Sequence, residues 1–110
     1  MKKEEKLAKE ILEQIGGGEN IQSFTNCMTR VRINLKNHEL ANVEKLKEID
    51  GVLGVVDDET LQIIVGPGVV NKVTDYMGKM TGIQKGETLD VNEDENLADL
   101  TKSKIKQKNN

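Results

Sequence analysis

The hydrophobic positions in the first eighty residues follow two different periods. Near residue 10 and again near residue 75, large apolar side chains recur every three or four positions, which is typical of amphipathic helices. The first predicted helix covers residues 2–15 and buries one stripe of side chains: Leu7, Ile11, Leu12 and Ile15. The last begins after Gly66-Pro67-Gly68 and places five side chains on one face: Val69, Val73, Tyr76, Met77 and Met80. A shorter helix, capped by Asn42, buries Val43, Leu46 and Ile49.

Between these helices, apolar and polar residues alternate with the period of a strand. The segments ENIQSFTN and RVRINLK predict a hairpin that turns at residues 27–29, and GVLGVVDDETLQIIVG predicts two more strands. The order is therefore α-β-β-α-β-β-α. It indicates an α/β protein of the α+β type, with a four-stranded antiparallel sheet and three helices packed on one face. We assign residues 1–80 to this domain and residues 81–110, which are polar and charge-rich, to a flexible tail or linker.

Composition narrows the possible functions. The net charge of −3 gives no reason to expect a nucleic-acid partner. One cysteine cannot form an internal disulfide, which fits a reducing compartment, and one cysteine with one histidine supports no metal site. We find neither a membrane-spanning apolar run nor a signal-peptide core, so we expect a soluble chain.

The candidate chemistry lies in the segment NCMTRVRINLK, where the only cysteine precedes two arginines. Arg30 and Arg32 are two positions apart on a strand, so they share a face near Cys27. Cationic neighbours favour the nucleophilic thiolate, and guanidinium groups match the oxygens of a phosphoryl group. The Thr29 hydroxyl and the backbone N–H groups at Met28 and Thr29 add donors for an anion. The pattern indicates a thiolate that meets a phosphate or another oxyanion.

Other interpretations of these residues remain open. A lone cysteine is often inert, and strand arginines are often only a solvated face, so a non-catalytic partner- or ligand-binding domain is one alternative. A thiol phosphatase is another. The gap of three residues from Cys27 to Arg30 is short for a loop that wraps a phosphate, and no acid is placed to protonate a leaving group. His38 follows the second strand in a polar stretch and is interpreted as a surface residue.

Four segments in order carry a family resemblance: IGGGENI, NCMTRVRINLKN, LKEIDGVLGVV and LQIIVGPGV. They resemble the enzyme IIB domain of the bacterial phosphoenolpyruvate-dependent sugar phosphotransferase system (PTS), glucose/glucoside class. The resemblance covers about residues 7–80, and its most specific part is Cys-x-Thr-Arg-x-Arg, here residues 27–32. With Asn26 before and Met28 after the cysteine, the chain is most similar to the N-acetylmuramic-acid-type subgroup.

The resemblance implies a protein-phosphocysteine–sugar phosphotransferase. Cys27 would accept phosphate from a phosphohistidine of the A domain (EIIA) and pass it to a sugar in the membrane-embedded C domain (EIIC). Arg30, Arg32, Thr29 and the backbone of Met28 would bind the phosphoryl group, and no cofactor is required. It further implies a domain that is monomeric in isolation and lies on the cytoplasmic side of the bacterial membrane. The chain would be either part of a longer permease or a free-standing subunit.

Overall fold

Seven regular elements follow one another in the order that the sequence predicts. The structure is a computed structural model that describes residues 2–86. Its helices and strands are α1 (Lys3–Gln14), β1 (Ile21–Asn26), β2 (Arg30–Leu35), α2 (Val43–Glu48), β3 (Gly54–Asp57), β4 (Leu61–Ile64) and α3 (Val69–Thr81). Short 3-10 turns at Gly18–Asn20 and His38–Leu40 complete the connections. The predicted α+β class and element order are confirmed.

The four strands form one antiparallel sheet in the order β1-β2-β4-β3. The strand β2 lies in the middle, because Arg32 is paired with Thr25 on one side and with Gln62 on the other. Side chains alternate across a strand, so the polar residues of β2 all project from the face away from the helices. This uncovered polar face carries the arginines.

The core fills the space between the other sheet face and the helices, and aliphatic side chains dominate it. Phe24, the only phenylalanine, lies at the centre of this core and is 2% exposed. The four apolar residues predicted for the buried stripe of α1 are all buried. Asn42 caps α2 as predicted, since its side-chain oxygen accepts a hydrogen bond from the Lys45 N–H at 3.1 Å.

One core prediction, Met80, is wrong. Met77 is fully buried, whereas Met80 is 39% exposed. The buried stripe of α3 runs through Val70, Val73, Thr74 and Met77. Continuing by four residues, it reaches Thr81, whose side chain lies against Gly18. At about 100° per residue, Met80 lies roughly 70° from the centre of that stripe, whereas Thr81 lies roughly 30° from it.

The chain after α3 packs back along β1. Gly82 adopts a left-handed conformation (φ 76°) that ends the helix. Ile83 then packs against the core, and the Gly86 N–H donates to the Phe24 carbonyl at 2.8 Å. This segment runs along β1 towards the Cys27 end of that strand. It begins at Thr81, which lies beside Gly18, and reaches Gly86, which lies beside Phe24. The domain boundary at residue 80 stays a prediction, and most of the predicted tail, residues 87–110, lies outside the described residues.

Candidate functional site

The loop of residues 27–29 joins β1 to β2, and backbone hydrogen bonds fix it from two sides. Within the hairpin, the Cys27 N–H donates to the Arg30 carbonyl at 2.9 Å. From the β4–α3 connection, the N–H groups of Val65 and Gly66 both donate to the Thr29 carbonyl at 2.9 Å. Gly66 has a positive φ of 99°, a conformation that favours glycine. The backbone of the candidate site is therefore anchored to the connection between β4 and α3.

Cys27 and Arg32 are in contact within this loop and strand. The Arg32 Nη1 donates to the Cys27 Sγ at 3.9 Å, within the range of a hydrogen bond to sulfur. The prediction that an arginine lies beside the thiol is thus supported by geometry. The side chain of Cys27 is nevertheless covered, with 1% exposure. Because a phosphorus atom must come within bonding distance of sulfur, Cys27 has to become more accessible during any transfer.

Arg30 has a different partner, Gln62 of β4. The Arg30 Nη1 donates to the Gln62 Oε1 at 2.8 Å, and Gln62 is also the register partner of Arg32. The two guanidinium groups therefore share the uncovered sheet face, as predicted, and Gln62 fixes one of them. Sequence reasoning missed Gln62. Its signal was available, because it is the polar residue between Leu61 and Ile63 and must face away from the core.

The other two predicted phosphate ligands, Met28 and Thr29, lie in the loop itself. The Met28 side chain is 69% exposed, whereas Thr29 is half-buried. Since the Thr29 carbonyl is held by two donors, the peptide groups on either side of it have little freedom to reorient. The structure thus brings the predicted residues into one loop and one strand. Their phosphate-binding roles stay predictions.

A buried amide supports the loop from the helix side. Asn26 is fully buried, and its Nδ2 donates to the Asn71 Oδ1 in the first turn of α3 at 2.7 Å. This bond joins the residue before Cys27 to the helix that covers β1. Buried polar groups are costly unless they are satisfied, and Asn71, which is itself exposed, supplies a partner for the buried Asn26 amide. Nothing in the spacing of the sequence pointed to this pair.

Replacing Asn26 by alanine is expected to lower the free energy of unfolding by about 1–3 kcal/mol, because the hydrogen bond of a buried side chain is lost and a small cavity is left. Urea unfolding followed by circular dichroism measures the change. Asn34→Ala is the matched control, since Asn34 makes its side-chain hydrogen bonds with Ser23 and Thr60 on the exposed face. Equal losses for the two variants would contradict a special role for the buried Asn26 amide.

His38 lies at the opposite end of β2 from Cys27. Its Nε2 is 2.9 Å from the Glu59 carbonyl oxygen, and its Nδ1 is 3.7 Å from the Asp57 carboxylate. It is exposed, in agreement with the predicted surface position. Within residues 2–86, histidine, cysteine and acidic side chains form no group of three or more that could hold a metal ion.

Comparison with known proteins places the loop inside a characterised family. The family profile described as "phosphotransferase system, EIIB" matches residues 9–42, which include Cys27 and both arginines. The MurNAc-GlcNAc-specific EIIBC component of the PTS in Staphylococcus epidermidis RP62A is 51% identical over 87 residues, 79% of this chain and 18% of that protein. Its counterpart in Staphylococcus haemolyticus is 48% identical over 89 residues, 81% of this chain and 19% of that protein.

The chain thus spans less than a fifth of the length of these curated relatives. In the part of the chain that the structure describes, every helix is too short or too polar to cross a bilayer. The similarity confirms the predicted resemblance to the subgroup that includes the MurNAc-type transporters.

A solved structure covers nearly the same extent of chain. The crystal structure of one domain of the PTS system, IIabc component from Clostridium difficile, superposes with a TM-score of 0.67 at 39% sequence identity. The match covers 81% of this chain and 90% of that domain. At this identity, over almost all of a solved domain, common ancestry accounts for both the sequence and the fold, and this chain belongs to the EIIB family of the phosphotransferase system.

Proposed function

We propose that this chain is the phosphoryl-transfer domain of a sugar-specific permease. Cys27 accepts a phosphoryl group from a phosphohistidine of an A domain and passes it to a sugar bound by a membrane-embedded C domain. The observation that carries the proposal is the 3.9 Å contact between the Arg32 Nη1 and the Cys27 Sγ, inside the segment that matches the EIIB profile. A guanidinium in contact with sulfur favours the thiolate, which is the nucleophilic form.

The proposed chemistry consists of two displacements at phosphorus. In the first, the Cys27 sulfur attacks, an S–P bond forms, the N–P bond breaks, and the histidine nitrogen leaves with the electron pair. In the second, a sugar hydroxyl oxygen attacks, an O–P bond forms, and the sulfur leaves as thiolate. The hydroxyl proton goes to a base on the acceptor domain. The thiolate is therefore regenerated, and no cofactor is consumed.

The arginines have separate parts in this scheme. Arg32 stabilises the thiolate before the first step and the leaving sulfur in the second, because it is the guanidinium in contact with Sγ. Arg30, held by the Gln62 side chain through Nη1, presents the remaining Nη groups of its guanidinium to the phosphoryl oxygens. The Thr29 hydroxyl and the Met28 backbone orient the group within the loop. Most of the catalytic effect is thus electrostatic, as is usual in phosphoryl transfer.

The proposed sugar follows from the relatives. Curated proteins that are 48% and 51% identical are named MurNAc-GlcNAc-specific. We therefore propose a sugar of that class as the final acceptor. Because the C domain would hold the sugar, the phosphorylated domain has to lie at the cytoplasmic side of the membrane, where the A domain is available.

One observation favours a second candidate function. Cys27 is only 1% exposed, as an inert core cysteine would be. A partner-binding domain with such a cysteine would take up no phosphate and would react slowly with alkylating reagents. The two functions therefore differ in a single measurable quantity, the phosphoryl content of the protein.

Intact-protein mass after incubation with phosphoenolpyruvate, the general phosphotransfer proteins and a glucose-class A domain tests the proposal. We expect one phosphoryl group per chain, located by digestion to the peptide that contains Cys27. A sample alkylated with iodoacetamide under mild denaturation and then refolded is expected to take up none. A folded, unalkylated protein that gains no mass with several A domains would overturn the proposal in favour of the binding domain.

A further inference from the structure

Residues 82–86, which follow α3, are attached to β1 through the backbone of Gly86. The Gly86 N–H donates to the Phe24 carbonyl at 2.8 Å, and the Gly86 carbonyl accepts a hydrogen bond from the Thr25 hydroxyl at 3.2 Å. Earlier in the segment, Ile83 packs against the core. Both polar groups of the Gly86 backbone are therefore held by consecutive residues of β1. We refer to residues 82–86 as the docked segment.

The docked segment determines where the chain continues beyond Gly86. Thr25 lies two residues before Cys27, and it is the register partner of Arg32 in the neighbouring strand. The position that a Cβ would take at Gly86 is 3.6 Å from the Thr25 Cβ. Paired residues of neighbouring antiparallel strands have Cα atoms about 5 Å apart. A residue that follows Gly86 closely in the sequence therefore lies a short distance from the Arg32 backbone, whatever conformation it adopts.

The sequence that follows Gly86 is strongly acidic. Positions 87–101 read ETLDVNEDENLADLT and contain six acidic residues and no lysine or arginine. The first two carboxylates belong to Glu87 and Asp90. Successive Cα atoms are about 3.8 Å apart, so the Cα atoms of these two residues lie within about 4 Å and 15 Å of the Gly86 Cα. Since the Debye length is about 10 Å at 0.1 M salt, these carboxylates act on nearby cations without full screening.

The nearby cations are Arg30 and Arg32, which share the uncovered sheet face. The Arg32 guanidinium contacts the Cys27 Sγ, and the Arg30 guanidinium contacts the Gln62 side chain. A carboxylate presents two oxygens to a guanidinium in the same paired geometry as a phosphoryl group. Carboxylates on this chain and an incoming phosphoryl group therefore compete for the same two cations.

We propose that the acidic segment that begins at Glu87 is an intramolecular competitor of the phosphoryl group at Arg30 and Arg32, and that the docked segment delivers it there. This inference rests on the proposed function and adds an autoinhibitory element to it. A group on the same chain has an effective concentration on the order of millimolar at such short range. The competition is therefore present at any protein concentration.

Competition predicts two changes when the carboxylates are neutralised. Arg32 then stabilises the Cys27 thiolate without a rival anion, so iodoacetamide reacts with the thiol faster. A phosphorylated A domain also meets less opposing negative charge, so its KM falls. The two readouts are independent, because labelling by iodoacetamide requires no phosphate donor.

The test measures the rate of Cys27 labelling in the full 110-residue chain at about 0.1 M salt. For Glu87→Gln/Asp90→Asn we expect labelling to be about two-fold to five-fold faster than in wild type. Gly86→Pro keeps both carboxylates but removes the N–H that donates to Phe24, so we expect a similar increase. Gly86→Ala keeps that N–H, and its Cβ would make ordinary contacts, so its rate should match wild type.

Two controls separate local competition from a general change in charge. Glu19→Gln/Glu39→Gln removes two exposed carboxylates from the 3-10 turns at the other end of the sheet, and should leave the labelling rate unchanged. At about 1 M salt, where the Debye length is about 3 Å, the rates of all variants should converge. Combining Gly86→Pro with the neutral pair at positions 87 and 90 should add nothing, because both act through one contact.

Each outcome has a distinct meaning. Unchanged labelling in Glu87→Gln/Asp90→Asn, or an equal change in the Glu19/Glu39 control, would overturn the competition. Wild-type labelling in Gly86→Pro would overturn delivery by the docked segment. A faster rate in Gly86→Pro that persists at high salt would indicate steric cover of the thiol and overturn the electrostatic explanation.

Phosphorylation gives the second readout. In Glu87→Gln/Asp90→Asn, KM for a phosphorylated glucose-class A domain should fall by about two-fold to five-fold at about 0.1 M salt. An unchanged KM together with faster labelling would overturn competition with the phosphoryl group. A wild-type protein that takes up no phosphate would instead refute the proposed function, and the labelling rates would then decide the competition at the arginines by themselves.

Discussion

Cys27→Ser is expected to abolish phosphorylation by the A domain. Oxygen differs from sulfur here because a hydroxyl ionises far less readily than a thiol and requires an adjacent general base to become a nucleophile. Arg32, whose guanidinium contacts the Cys27 Sγ, is a permanent cation that cannot accept a proton. A serine at this position would therefore remain a protonated hydroxyl. We expect no added mass over the time in which the wild type is fully converted.

Intact mass is the appropriate readout for this variant, with the same donor mixture used for both proteins. Serine is slightly smaller than cysteine and fits the same enclosed position, so urea unfolding should show a native-like cooperative transition. That control separates loss of the nucleophile from loss of the fold. Phosphorylation of the serine variant at the wild-type rate, or at a residue outside the loop, would rule out the thiol as the acceptor.

The second large effect is expected for Arg32→Ala, which should slow phosphoryl transfer by about 10²–10³. The guanidinium donates to Sγ and, under the proposed function, would face the incoming phosphoryl charge, so its removal should destabilise the thiolate and the transition state together. Arg32→Lys should recover part of the rate, because it restores the charge but not the planar fork. Arg30→Ala should also slow transfer, but less, since the Nη1 of Arg30 is engaged by the Gln62 side chain.

Single-turnover kinetics with excess phosphorylated A domain isolate the transfer step for these variants. Lys36→Ala is the matched control, because it removes the same charge just beyond the other end of β2. Its rate should stay within about two-fold of wild type, since exposed charges more than a Debye length away are screened. If Arg32→Ala also kept the wild-type rate, the electrostatic role of the strand would be refuted.

The predictions that succeeded rest on local geometry. Alternation in RVRINL determines that Arg30 and Arg32 share one face while Val31 and Ile33 enter the core, whatever the rest of the chain does. The turn at residues 27–29 follows equally from the two strands that it joins. For the same reason, the element order and the place of the thiol could be read from short segments.

The features that sequence reasoning missed depend on contacts between distant segments. Gln62 contacts Arg30 because β4 pairs with β2 in the sheet, although β3 lies between these two strands in the sequence. No local pattern predicts that pairing. The Asn26–Asn71 bond spans 45 residues. The burial of Cys27 is likewise a property of the folded chain that no local pattern predicts. Local periodicity therefore identified the reactive residues, but tertiary packing determines how they are held.

The bond between Gly86 and Phe24 has a consequence for where this domain can be cut. β1 lies at the edge of the sheet, and an edge strand with open hydrogen-bonding groups is a template for pairing with another molecule. In this chain residues 82–86 lie along that edge, and Gly86 occupies the Phe24 carbonyl. A fragment that ends at the last residue of α3 would leave the β1 edge open and would be more prone to self-association through that edge. A fragment that retains Gly86 keeps the edge covered.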